Sequence, residues 1–125
     1  MDGGMIEGDK ANRHDAASGT ILQVVESAPN YAVYALDLGG LVTVWNKGCE
    51  DITGWASSVA IGKHHSFLYC AEVVAAGVAD RHLAQVEQLG RVEQESWRVR
   101  KNGSEFLAHL TTTALRDETG QLSGY

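Results

Sequence analysis

The chain has one proline, two cysteines and no apolar run approaching the roughly 18 residues of a membrane-spanning helix. Residues 1–18 lack the apolar stretch of a secretory signal. Two thiols, Cys49 and Cys70, are too few for a secreted disulfide framework, so a cytoplasmic chain with reduced cysteines is expected. Basic residues are also scarce, 10 against 16 acids, for a net charge of −6. Without a basic stripe the chain is a poor fit to nucleic acid or to an anionic membrane surface. What remains is ordinary for one folded domain: 125 residues, 44% apolar and 21% charged.

Residues 1–19 show almost no apolar periodicity and predict a flexible leader. From Thr20, Ile21, Val24, Val25 and Ala28 share one helical face, and Pro29 stops the helix. Residues 31–37 and 41–45 are rich in aromatic and β-branched residues around Gly39-Gly40, the pattern of a β-hairpin. Short helices follow over 46–53 and 55–61, each closed by a glycine. A longer helix over 79–89 has Asp80 available as a cap and Leu83, Val86 and Leu89 turned inward. Residues 91–100 and 105–115 predict a hairpin of long strands around Asn102-Gly103, with Phe106, Ala108, Leu110 and Thr112 on one face. A last strand begins at Gln121. The class is α+β, a curved antiparallel five-stranded sheet with short helices on one face and an N-terminal capping helix.

These pieces resemble the PAS sensor family. The resemblance rests on ALDLGGLVTVWN (35–46), Ile52-Thr-Gly-Trp55, Ile61-Gly62-Lys63, the stretch from Trp97 to Ser104, and Arg116-Asp117-Glu-Thr-Gly120. Each motif is weak alone; their order and spacing carry the likeness. It implies a PAS domain over 20–125, excised before or within its last strand from a larger bacterial signalling protein. It implies a sensory and dimerisation module that binds a small ligand, a cofactor or a partner. The expected partners are a second copy and a downstream histidine kinase, diguanylate cyclase or transcription regulator. No catalytic constellation is legible, so the chain itself is read as a non-enzyme.

The implied pocket wall comprises Val33, Leu36, Val44, Asn46, Ile52, Trp55, His65, Phe67, Leu68, His82, Val86, Trp97, Phe106 and Leu110, with Leu83 beside them and Trp45 and Tyr69 in the frame. Its cofactor is left open between none, haem and non-covalent flavin. In light-sensing LOV domains, a PAS subfamily, a cysteine attacks the flavin from a Gly-x-Asn-Cys stretch. Here that frame reads Gly62-Lys63-His64-His65, and imidazole forms no such adduct. Cys70 lies too far along to replace it, and Cys49 beside Glu50 and Asp51 is expected to stay a thiol. For haem, His82 is the candidate ligand, since haem-binding PAS sensors use a similar Arg-His pair on the equivalent helix. The alternatives are thus a haem-based gas or redox sensor through His82 and a purely structural interaction domain. His64 and His65 are adjacent, a spacing expected to splay them apart with no third metal ligand in view. His109 is expected on the outer face of its strand.

Overall fold

The computed structural model describes residues 23–25 and 31–125. The leader over 1–19 and most of the expected N-terminal helix lie outside the described residues; Gln23 to Val25 are helical. Strands β1 (Tyr34–Leu36) and β2 (Val42–Trp45) form the first hairpin. Helix α1 (Lys47–Thr53), helix α2 (Ser57–Ala60), a 3-10 turn (His65–Leu68), helix α3 (Ala71–Ala75) and helix α4 (Val78–Leu89) follow. The chain then returns through β3 (Arg91–Val99), β4 (Glu105–Thr113), β5 (Leu115–Arg116) and β6 (Leu122–Gly124).

Six strands appear among the described residues where the sequence suggested five. The long fourth strand breaks at Ala114, whose N–H turns away to the Gly90 carbonyl. Otherwise β3 and β4 run in unbroken antiparallel register, with Arg98 opposite Phe106 and Val92 opposite Thr112. The helix expected over 79–89 starts one residue earlier, behind Gly77 in a left-handed conformation. No side chain caps it, so Asp80 is free for another contact.

Two fastenings shape this frame. The first is Asn46, 1% exposed and caught between β2 and α1. Its Oδ1 accepts from the N–H groups of Cys49 and Val33, both at 2.9 Å. Its Nδ2 donates to the carbonyls of Tyr31 at 2.6 Å and Val25 at 2.8 Å. One amide thus satisfies a helix N-terminus and ties down the approaching strand. Gly48 lies beneath that strand, where a Cβ would collide with the Tyr31 carbonyl.

The second fastening joins the two ends of the sheet. Leu36 N–H donates to the Tyr125 carbonyl at 2.7 Å, and Tyr125 N–H donates back to Leu36 at 2.9 Å. The first strand is thereby laid beside the last. Gly124 makes this approach possible, because a Cβ there would sit 2.5 Å from the Leu36 carbonyl oxygen. Leu36, Val42, Trp45, Leu68 and Leu83 fill the core on the helical side. Gly124→Ala is therefore expected to lower stability by about 1–3 kcal/mol through displacement of β1, measured by urea unfolding. A change within about 0.3 kcal/mol, the scatter of independent sites, would mean that the contact yields freely.

Candidate functional site

Between the sheet and the helices lies a cavity of about 830 Å³. Its walls come from β1, α1, the 3-10 turn, α4, Glu93 and Arg98 of β3, and residues 106–113 of β4, whose exposed Leu107, His109, Thr111 and Thr113 share in the lining with the inward face. The β4 face is largely apolar, with Phe106, Ala108, Leu110 and Thr112 turned in. The β3 face is not: Val92, Gln94, Ser96 and Arg98 are its sheltered residues. Of these four, Arg98 lines the cavity.

Of the wall residues expected from sequence, Val33, Leu36, Ile52, His65, Leu68, His82, Phe106 and Leu110 line the cavity, as do Trp45 and Leu83. The remaining six are corrected. Trp97 is 62% exposed, on the outer face of β3. Trp55 and Phe67 pack edge to face, centroids 5.5 Å apart, and Phe67 sits 5.6 Å from the Trp45 ring, a solid aromatic wedge behind the wall. Asn46 is the structural hub described above. Val44 and Val86 do not reach the cavity; Val86 is sealed in the packing of α4. Sequence reasoning missed Tyr34 and, above all, Arg98. The available signal was Ser96 and Arg98 alternating with Trp97, which puts the one aromatic of that stretch and its arginine on opposite faces.

His65 is held in place by backbone. Its N–H donates to the Gly40 carbonyl at 2.9 Å, and the preceding His64 bridges to Leu41. Gly40 has φ of 81° and lies directly beneath both imidazoles, where a Cβ would come within 3.0 Å of His64 Nε2. His65 is 3% exposed and its Nε2 has no partner. Burial, followed by the nearby His64, Arg98 and His82, pushes its pKa down from 6.5 to about 4, with a small opposing pull from Asp80. It is neutral at physiological pH.

His82 is buried too, on the inward face of α4. Its Nδ1 lies 3.1 Å from the Gln94 amide nitrogen and its Nε2 lies 3.0 Å from Thr112 Oγ1. With Gln94 donating, Nε2 carries the proton and donates to Thr112. Burial first and Arg98 second hold its pKa below the ordinary value. Both nitrogens are engaged, so ligation of iron would require breaking one of these bonds.

The two adjacent histidines do not splay apart, contrary to the expectation. Their rings lie 4.8 Å apart, and Asp80 supplies a third donor, 3.3 Å from His64 Nε2. The three donor atoms spread over as much as 4.8 Å. Zinc bonds of about 2.1 Å hold any two ligand atoms within about 4.2 Å, so this arrangement is a histidine–aspartate contact wider than a closed metal site. Cys49 lies on the cavity wall, donates to the Val33 carbonyl, and is pushed up to about 11, chiefly by burial. Its thiol is therefore unreactive. His109 is exposed on the outer face, 3.9 Å from Glu93.

The family model for the PAS fold matches residues 21–125. The chain belongs to the PAS family. A curated relative, two-component system protein A of Emericella nidulans, is 33% identical over 114 residues. That match covers 91% of this chain and 17% of the relative, so the chain spans a small part of that protein. The relative is fungal, and the expectation of a bacterial source finds no support in it. Among solved structures, a PAS domain from Colwellia psychrerythraea superposes with a TM-score of 0.75 at 21% identity, covering 86% of this chain and 90% of that one. An RNA-binding light-oxygen-voltage receptor gives 0.75 at 18% identity, over all of this chain and 33% of that one. The blue-light photoreceptor Vivid gives 0.62 at 19% identity, over 86% of this chain and 89% of that one. These likenesses establish the fold of this PAS domain.

The neutral state of His65 has a consequence for stability. The unfolded imidazole takes up a proton near pH 6.5, and the folded one resists until about 4. Stability is thus fully present above pH 6.5 and falls as pH drops towards 4. Allowing for water in the cavity, the loss is expected to be about 2 kcal/mol from His65, with His82 adding in the same direction. Urea midpoints across that range should show this fall, and His65→Gln should flatten it; an unchanged slope in the variant would refute the assignment.

Proposed function

We propose that this chain is the sensory module of a larger signalling protein and takes a small molecule into the cavity between its sheet and helices. The observation that carries this reading is the cavity itself. Its volume of about 830 Å³ falls within the size range of small-molecule sites, and it joins apolar walls to a few fixed polar groups. A domain whose only task was interaction would have every reason to fill that space, because close packing stabilises. Occupancy would favour one arrangement of the β3–β4 hairpin against α4, and the effector would read that shift. The relative's name, two-component system protein A, supports a two-component pathway as the setting, with a histidine kinase among the effectors proposed.

The occupant is read as a colourless metabolite. A haem bound through His82 would have to break His82's contact with Gln94 or Thr112. A covalent flavin adduct would need a thiol where His65 stands, and the thiol on the wall is the protonated Cys49. Non-covalent flavin remains compatible with the volume. No helix among the described residues is long and apolar enough to cross a membrane, in keeping with a cytoplasmic placement. A second copy is the partner proposed for the outer face of the sheet. There Trp97 stands directly across from Leu107, both exposed, with Leu115 exposed further along the same strand line.

Two measurements test this. Native mass spectrometry and a visible spectrum of protein purified without added cofactor should show a bound molecule with no haem or flavin bands. Ala108→Phe, which places a ring in the cavity, should expel it without unfolding the domain. A bound molecule equally retained by that variant would place the site elsewhere. For the dimer, Trp97→Glu should shift sedimentation from dimer to monomer at micromolar concentration; a wild-type chain that is monomeric throughout would refute it.

A further inference from the structure

The cavity holds a buried cation for which the described residues supply no counter-ion. Arg98 points in from β3, 4% exposed, directly across from Phe106 in the β3–β4 register. A guanidinium offers five N–H donors and keeps its charge under all ordinary conditions. Here it makes one hydrogen bond, to Ser96 Oγ at 3.1 Å, and lies over the Tyr69 ring, 3.9 Å from its centroid. Among the described residues no carboxylate pairs with it.

Its neighbours cannot supply the missing charge. His65 and His82 are held neutral, and Arg98 itself contributes to holding them so. The phenols of Tyr34 and Tyr69 are pushed up by burial, so both stay protonated. Two buried polar atoms close by, His65 Nε2 and the Tyr69 hydroxyl, also lack partners. A buried charge without a partner is strongly unfavourable, and natural proteins rarely keep one. An anion that enters from solvent resolves the deficit.

We propose that the cavity binds a small monocarboxylic acid with an apolar body, its carboxylate paired with Arg98 and its body laid against Leu36, Leu68, Leu83 and Leu110. The proposal rests on the reading of the cavity as a ligand site. The guanidinium stands among neutral imidazoles and phenols, and Glu93, the carboxylate on the described lining, is exposed on the outward positions of β3; one buried positive charge then balances one negative charge, which favours a monoanion over a phosphate dianion. The leucine walls favour an alkyl or aryl body over a polyhydroxylated one. The neutral imidazole of His65 faces the same space and can donate to or accept from the carboxyl group without adding charge.

The test compares octanoate with 1-octanol, which share a chain and differ in charge, by calorimetric titration of the 125-residue chain and its Arg98→Met variant. Octanoate is expected to bind the wild type roughly ten- to a hundredfold more tightly than 1-octanol, and Arg98→Met to abolish that preference. Should the variant fail to fold, the preference in the wild type and its partial retention in Arg98→Lys decide the matter. Equal binding of the two probes to the wild type, or a preference that survives Arg98→Met, overturns the carboxylate assignment and leaves the cavity standing as a ligand site. Failure of both probes to bind the wild type overturns both readings.

Discussion

Everything in this domain depends on the backbone exchange between Leu36 and Tyr125. It is two hydrogen bonds, separated by most of the chain, and it places β1 beside β6. Without it the first hairpin is separate from the β5–β6 pair that continues β4, and a two-stranded ribbon is marginal in water. With it, the ribbons become one surface on which the intervening helices can close. The cavity is the space that this closure leaves between them. Gly124 is the residue that permits the approach, for steric reasons and not for an unusual backbone angle, since its requirement is room for the Leu36 carbonyl.

Asn46 solves the complementary problem at the other edge. The helix after β2 must begin abruptly, and its free N–H groups must be met. A single buried amide meets the Cys49 N–H and simultaneously accepts from Val33 and donates to two carbonyls. All four of its hydrogen-bonding positions are used, so it stabilises both α1 and the path into β1. The same use keeps it off the cavity wall, where the resemblance to PAS domains suggests a place for it.

The fold was legible in the sequence because its signals are local. Asn102-Gly103 marks one turn and Gly39-Gly40 another, and the alternation of Phe106, Ala108 and Leu110 gives the face of β4. The site was legible only where it is apolar. Phe106 and Leu110 follow from the alternation of β4 and Leu36 and Leu68 from the resemblance to PAS domains, and all four line the cavity. Trp97 was misplaced because a large aromatic in a strand ordinarily seeks the core. Here the odd positions of β3 face outward, so Trp97 goes out with Glu93 and Glu95, and Arg98 comes in. Hydrophobicity alone ranks these two residues in the wrong order. The approach of His64, His65 and Asp80 was likewise invisible, because it arises where the 3-10 turn meets α4, and spacing along the chain does not encode that meeting.

Burial, with the charge of Arg98 on β3 adding to it, also sets the charge states in this region, so His65 and His82 stay neutral at physiological pH. Their neutrality is what lets His82 donate from Nε2 to Thr112 while accepting at Nδ1 from Gln94, locking α4 onto both long strands. Protonation of His82 would put a donor opposite the Gln94 amide nitrogen and force that side chain to turn. The Arg98 charge adds to burial in favouring this neutral, doubly bonded state of His82. Neutralising that arginine's charge with a bound carboxylate would weaken its hold on both histidines. A carboxylate paired with Arg98 would thereby bear on the α4–sheet contact through the charge felt at His82.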